Sequence, residues 1–299
     1  MSFLSDEKVL ELQKKANDIR ISIIDMLVEA GSGHTAGPLG MADIFTLLYF
    51  HILRHDPSRP DWSERDRVVL SNGHICPVLY ATMAHAGYFP LEELKTLRKF
   101  GSRLQGHPHR EYMPWLETSS GPLGSGLSQA VGMAIADKID NGLTTQKQIF
   151  CLMSDGEHDE GNTWEAILLA GKQKLHNLTA IVDRNNIQID GYTEDIMPLE
   201  PLADKWRAFN WHVIEVDGHN FEALNIAFGE AQTVFEKPTV IIAHTIPGKG
   251  VSFIEGDFRW HGDPLGKKDV AGDPPKVDQV KIALNELRTL GGKIKSEHQ

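Results

Sequence analysis

The sequence predicts an α/β fold: one parallel sheet with helices on both faces. Two observations carry this. Short β-branched runs at 67–71, 149–153, 179–183, 212–216 and 239–244 alternate with stretches of helical periodicity, the pattern of strand–helix–strand units whose crossovers cover both sides of a sheet. At 299 residues and 33.3 kDa, with 41% hydrophobic and 24% charged residues, the chain is also long enough to bury a substantial core.

The elements follow in order. From Asp6 to Ala30 the apolar residues Val9, Leu12, Ala16, Ile19, Ile23, Met26 and Leu27 recur at helical spacing, with Ser5 as N-cap and "GSG" (31–33) as the stop. "MADIFTLLYFHIL" (41–53) is apolar nearly all round, which predicts a buried helix. After the strand "RVVLS" (67–71), helices are expected at 76–86, 91–99 and 126–139. Strand 149–153, helix 162–173, strands "TAIVD" (179–183) and "HVIEV" (212–216), helix 221–235 and strand "TVIIAH" (239–244) complete the alternation. From Gly266 the chain turns polar with paired prolines; one amphipathic helix, "VDQVKIALNELRTL", and a loose end, "GGKIKSEHQ", follow. The expected organisation is one α/β domain over 1–265 and a linker-like tail over 266–299.

A net charge of −11 and a pI of about 5.7 argue against nucleic acid or anionic membrane as a partner. An anionic substrate would need a local positive site made of metal, His, Arg or backbone N–H groups. The only cysteines, Cys76 and Cys151, sit in apolar surroundings, which points to a reducing compartment. The N-terminus has no hydrophobic signal region and no apolar run nears the ~20 residues of a membrane span, so a cytoplasmic protein is expected.

"SDGEHDEG" (154–161) places four acids directly after the apolar run "IFCL". A calcium loop would require Gly at its sixth position and Glu at its twelfth, where this chain has Glu160 and Ala166. "GPLGSGL" (121–127) lacks the Lys-Ser/Thr of a nucleotide-binding P-loop, and "GSGHTAG" (31–37) lacks dinucleotide-binding spacing and follows a helix. A different arrangement fits better. Mg²⁺ takes few protein ligands and completes its octahedron with phosphate oxygens and water. Asp155 and Asn185 lie one strand–helix–strand unit apart, so the fold returns Asn185 beside Asp155 at the carboxyl ends of the strands, where ligands bind in open parallel sheets. Gly156 permits close backbone approach, and the helix start near Asn162 could offer N–H groups to phosphate. Taken alone, such a pair also suits caps and turns.

The pair is not alone. "SDGEHDEGNTWEA…NLTAIVDRNNIQIDG" resembles the thiamine diphosphate motif in its transketolase form. The resemblance continues through "GSGHTAGPLGMADI" (31–44), "DRVVLSNGHICPVLYA" (66–81), "LQGHPHR" (104–110), "TSSGPLGSGLSQAVGMA" (118–134) and "TIPGKGVSFIEGDFRWHGDPL" (245–265). It implies a thiamine diphosphate-binding fold, the diphosphate-side domain. It also implies a site: Asp155, Asn185 and the carbonyl of Ile187 on Mg²⁺ or Ca²⁺; His74, Gly156 and His261 on the diphosphate; and the turn of Gly121, Leu123 and Gly124 beside the aminopyrimidine. His34, His107 and His261 would line the substrate channel, and Glu160 and Glu165 would be interface acids. Glu157 and Asp159 are read as solvated charges, and His51, His55, His85, His176 and His219 carry no motif. Ser154, Thr35, Ala36 and Pro247 depart from the family pattern, mostly around the substrate mouth.

In this family the glutamate that activates the pyrimidine lies in a second domain, with residues that grip the sugar phosphate. The chain has roughly half the family's usual length, so the resemblance implies a split enzyme. A separate C-terminal subunit would supply that glutamate in an α₂β₂ assembly, and a two-carbon ketol unit would pass from a ketose phosphate to an aldose phosphate. The Asp–Asn motif is shared with the decarboxylating component of oxo-acid dehydrogenases and with deoxyxylulose-phosphate synthase, but "QGHP" and "WHGDPL" favour transketolase. A non-catalytic cofactor-binding scaffold and a cloned fragment of a longer enzyme are the remaining alternatives; the polar helical tail favours a natural terminus.

Overall fold

The computed structural model describes residues 3–142 and 147–297, with helix side chains described as far as Arg288. Five parallel strands form the central sheet. In chain order these are β1 (Arg67–Leu70), β2 (Ile149–Ser154) and β3 (Leu178–Arg184), then, after a small antiparallel pair β4 (Ile187–Gln188) and β5 (Gly191–Tyr192), β6 (His212–Asp217) and β7 (Thr239–His244). Their spatial order is β1-β2-β3-β7-β6.

Every residue of β2 and β3 is buried, and the two-residue side-chain period divides each strand between two cores. Phe150 and Leu152 join the core with α1 (Asp6–Ala30), α2 (Ala36–Leu47), α3 (Cys76–His85) and α8 (Phe221–Ala231); Ile149, Cys151 and Met153 join the other, with α4 (Ser125–Asn141), α5 (Gly161–Gln173) and α7 (Leu202–Ala208). The expected doubly covered sheet is thus present. Cys76 and Cys151 are free and buried, and among the described residues no helix is long and apolar enough to cross a membrane.

Local signals behave largely as read. Ser5 Oγ accepts the Lys8 N–H at 3.2 Å, and Gly31 closes α1 at φ +66°. Three helices differ. The buried helix begins at Ala36 rather than 41 and widens into a π turn at Leu48–Ile52. The segment expected as helix 91–99 is a 3₁₀ turn, Leu91–Thr96. It buries Leu94 and Leu97, then reverses at Arg98, whose N–H bonds Leu104 O at 2.9 Å. The helix expected to 235 ends at Ala231, because the apolar face is not continued: Phe235 is 67% exposed.

The tail closes onto the domain. α9 (Lys276–Glu297) packs along α1 with Ala283 and Leu287 fully buried. Its Gln279 accepts from Gly266 N–H at 2.9 Å and donates to Lys268 O and Pro274 O, so residues 266–275 are held in place. The stretch expected as a loose end is helical through Glu297, and His298 and Gln299 lie outside the described residues.

One buried ion pair ties α1 to α2. Arg20 grips Asp43 through Nη1 at 3.0 Å and Nη2 at 2.7 Å and donates to Leu39 O at 3.0 Å. His219 joins from the far side, its Nδ1 2.7 Å from Asp43 Oδ2 and its Nε2 accepting the Ile246 N–H at 2.8 Å. Burial opposes ionisation of Asp43, but Arg20 and His219 outweigh it and hold the carboxyl well below the usual range. Removing one partner of such a pair strands the other charge. Asp43→Ala should therefore cost about 3–5 kcal/mol in urea unfolding; a loss below about 1 kcal/mol would show that Arg20 finds another partner.

Candidate active site

The carboxyl ends of β1, β2 and β3 open onto one crevice. The parallel register pairs Ser154 with Asp183, so Asp155 and Asn185 emerge side by side, as the strand–helix–strand spacing predicts. Asp155 is 1% exposed. Its Oδ1 accepts the Gly156 N–H at 2.8 Å, and its Oδ2 accepts the Asn186 N–H at 2.8 Å and Arg184 Nη1 at 3.1 Å. Burial pushes its pKa up to about 6, against the pull of the Asn186 N–H and Arg184. Asp183, fully buried behind it, is pushed up to about 7 by burial, with the Thr245 hydroxyl opposing and Asp155 adding to the rise. Arg184 is shared with Glu194 and Glu200.

The corner is short of positive charge, and its donors suit a hard cation. Asn185 Nδ2 donates to Asp183 at 2.8 Å, which identifies Oδ1 as the free-facing oxygen; Oδ1 accepts the Ile187 N–H at 3.0 Å and keeps a second lone pair. Among the described residues no three His, Cys, Asp or Glu are grouped so that they could hold a metal ion by themselves. A cation here would take one carboxylate plus neutral amide and carbonyl oxygens and leave positions for ligand oxygens, the habit of Mg²⁺. A Cβ added at Gly156 would meet only Gln188, at 3.6 Å, so folding tolerates a side chain there and the opening is available to a ligand.

Glu157 corrects the sequence reading. It is fully buried rather than solvated. Its carboxylate accepts the Ser71 hydroxyl, the Gly124 N–H at 2.7 Å and the Ser154 N–H at 2.8 Å, joining the loops after β1, before α4 and after β2. Burial raises its pKa, and these donors oppose the rise. The signal was present: Ser154 and Glu157 form a capping box, S-x-x-E, at the turn Asp155–Asp159. Ser154, a departure from the family pattern, is the cap. Asp159 is exposed, as expected, and accepts Gln188 Nε2 at 2.9 Å.

Across the crevice stand three histidines. The ring centroids of His34, His74 and His261 lie 4.8, 5.3 and 5.4 Å apart. Nδ1 of His34 and of His261 is buried without a partner among the described residues. Burial lowers the pKa of all three, and the neighbouring rings and Arg98 help bring His34 to about 4. His107, at the rim, is lowered by the partial loss of water around its ring and by Arg98. All four are therefore neutral at pH 7.

A cavity of about 350 Å³ is lined by His34, His74, His107, His261, Gly121, Leu123, Asp155, Gly156, Asn185 and Ile187, a volume that suits a small ligand. Gly124 lies behind this wall at φ +78°, where a Cβ would come within 2.4 Å of Asn162 Oδ1 and 2.6 Å of Thr163 Oγ1. Glu160 and Glu165 are exposed beside α5, outside the cavity. The departures at Thr35 and Ala36 dock the loop that carries His261: Thr35 Oγ1 donates to Asp263 O at 2.7 Å, and Ala36 O accepts the Gly248 N–H at 2.8 Å.

Sequence reasoning missed two supports. His158, 3% exposed, has Nδ1 at 2.8 Å from Asp155 O, while its Nε2 accepts Trp206 Nε1 at 3.1 Å; nothing local marks it, because Trp206 is distant in sequence. Arg184, directly before Asn185, pairs with Asp155 from β3. His55 and His219, read as carrying no motif, bond Tyr88 and Asp43 respectively, outside the cavity.

Residues 12–277 match the family described as "Transketolase, thiamine diphosphate binding domain". The chain is 45% identical over 259 residues to the 6-deoxy-6-sulfo-D-fructose transketolase subunit SqwG of Clostridium sp. (strain MSTE9), covering 87% of this chain and 93% of that protein. It is 42% identical over 291 residues to an apulose-4-phosphate transketolase subunit of Phocaeicola vulgatus, covering 97% of this chain and 98% of that protein. The crystal structure of transketolase from Campylobacter jejuni superposes with a TM-score of 0.80 at 34% identity, over 95% of this chain but 48% of that one. The chain thus spans nearly the whole of the two subunit relatives and under half of the longer enzyme.

The Glu157 clasp can be tested against its exposed neighbour. Glu157→Gln turns an amide N–H toward donors and should cost about 1–3 kcal/mol in chemical unfolding. Asp159→Asn should stay within about 0.5 kcal/mol. Equal effects would mean that the three loops are held by other contacts.

Proposed function

The chain belongs to the transketolase family through its thiamine diphosphate binding domain, and on that premise we propose that it is the diphosphate-side subunit of a two-chain transketolase. It would carry a two-carbon ketol unit from a ketose phosphate to an aldose phosphate, as the C2–C3 bond of the donor breaks and a new carbon–carbon bond forms on the acceptor. The observation that carries this reading is one cavity in which a buried acid and an amide, Asp155 and Asn185, face a cluster of histidines.

Each residue then has a task. Asp155, Asn185 and the Ile187 carbonyl hold Mg²⁺ or Ca²⁺ against the diphosphate. His74, Gly156 and His261 receive the phosphates, and the Gly121–Leu123–Gly124 turn approaches the aminopyrimidine, braced from behind by Glu157. Thiamine diphosphate, when bound, supplies the nucleophilic carbon and the electron sink. His34, His107 and His261 work on the sugar. As neutral imidazoles they both donate to and accept from its hydroxyl and carbonyl oxygens, and Nδ1 of His34 and of His261 have no competing protein partner among the described residues.

The site is completed from outside. A separate C-terminal subunit brings the pyrimidine-activating glutamate, in an α₂β₂ heterotetramer with Glu160 and Glu165 at the interface. Residues 1–265 are the cofactor-binding unit and 266–299 the extension that follows it, and the assembly works in the cytoplasm. The names of the two subunit relatives suggest donors besides xylulose 5-phosphate: 6-deoxy-6-sulfofructose and apulose 4-phosphate, each with an anionic group on the sugar.

Ketol transfer from xylulose 5-phosphate to ribose 5-phosphate, measured with Mg²⁺ and thiamine diphosphate, tests the reading directly. Activity should appear only when a separate C-terminal transketolase subunit is added; activity of this chain alone would overturn the split site. The metal corner has its own test. Asp155→Ala should weaken Mg²⁺-dependent thiamine diphosphate binding at least about 100-fold by calorimetry, in line with loss of a charged ligand. The fold should survive, because Arg184 keeps Glu194 and Glu200. Unchanged affinity would remove Asp155 from the metal site.

A further inference from the structure

The cavity brings no fixed positive charge of its own to a substrate. Its described lining holds no lysine or arginine, and Asp155 and Asp190 border it. In a chain of net charge −11, an anionic sugar must find its cation at the edge.

One arginine stands there. Arg98 takes a left-handed backbone, φ +59°, uncommon for a residue with a side chain. Its guanidinium lies over two glycines. A Cβ built on Gly106 would come within 2.8 Å of Cζ and 3.0 Å of Nη2, and one built on Gly33 within 3.6 Å of Nε. Those glycines directly precede His107 and His34. The guanidinium therefore occupies the corner where the two histidine loops meet, and its charge is felt by both rings. Nearby Arg103 is clamped on Glu93 at 2.9 Å through Nη2. The Arg98 side chain, by contrast, has no hydrogen bond, ion pair or ring contact among the described residues, and the residue is exposed.

We propose that Arg98 binds the terminal oxyanion of the sugar substrate, phosphate or sulfonate, at the outer end of the cavity. The inference rests on the ketol-transfer reading for the identity of the ligand as a sugar. A guanidinium with all its donors uncommitted is suited to two-point binding of a tetrahedral oxyanion, and the two glycines leave it the room to lie flat beside the channel. This chain would then share the recognition of the anionic end with its partner, not only supply the cofactor site.

Arg98→Ala and Arg98→Lys, made in the two-chain complex loaded with Mg²⁺ and thiamine diphosphate, test this. The kcat/KM ratio of xylulose 5-phosphate to xylulose should fall at least about tenfold in Arg98→Ala, chiefly through KM, and less in Arg98→Lys, as expected for a lost charged hydrogen bond. The same ratio for 6-deoxy-6-sulfofructose against fructose tells a sulfonate site from a phosphate site. Ratios within about twofold of wild type for both anions overturn the proposal, even if overall rates drop, because Arg98 would then act only on the histidines. A second readout needs no turnover. Ribose 5-phosphate well above its Kd, but not ribose, should slow phenylglyoxal modification of Arg98 about fivefold, read by peptide mass spectrometry. Protection without ketol transfer would sink the transferase reading and keep the anion site; equal labelling would sink the site whatever the turnover.

Discussion

Asp155 leaves β2 into surroundings that exclude water, and keeping its charge there is the constraint around which the strand ends are arranged. A lone carboxylate in such a place would neutralise itself. Here the Gly156 and Asn186 N–H groups and Arg184 from the neighbouring strand share the work. They do so only in part: burial still lifts Asp155 to about 6 and Asp183 to about 7. The remaining deficit is what a divalent cation would fill.

The opposite wall is built on a contrary principle. Where the strand ends gather acid, the facing loops gather imidazoles and keep them uncharged by packing them together out of water. An uncharged ring is both donor and acceptor, which suits a ligand rich in hydroxyls. The loops hold these rings through contacts that are not chemical themselves: Thr35 on Asp263, Ala36 on Gly248, and His219 bridging the buried Arg20–Asp43 pair to Ile246. The core between α1 and α2 is therefore linked to the loop that presents His261, so a change far from the cavity has a route to it.

Much of this was legible beforehand because it is periodic or local. The alternation of β-branched runs with helical stretches, the cap at Ser5, the stop at Gly31 and the spacing from Asp155 to Asn185 all depend on neighbours in sequence or on one crossover, whose geometry is nearly invariant. Glu157 shows where composition misleads: a charge run reads as solvated surface, yet the capping box within it selects which acid turns inward. The helices expected at 91–99 and through 235 failed for a related reason. Periodicity records which residues are apolar but not whether a surface exists to receive them.

By itself, then, the sequence determined the sheet, the order of its strands along the chain and the loops that meet at their ends, since all follow from local backbone preference and side-chain period. Only the tertiary structure decided which polar groups lose their water. Burying Glu157, seating His158 on Trp206, placing Arg184 against Asp155 and laying the Arg98 guanidinium over Gly33 and Gly106 are contacts between segments distant in sequence or reversed by a turn. Their charge states and bonding follow from packing, and beyond the capping box that marks Glu157 no pattern along the chain encodes which of its charges will find a partner there.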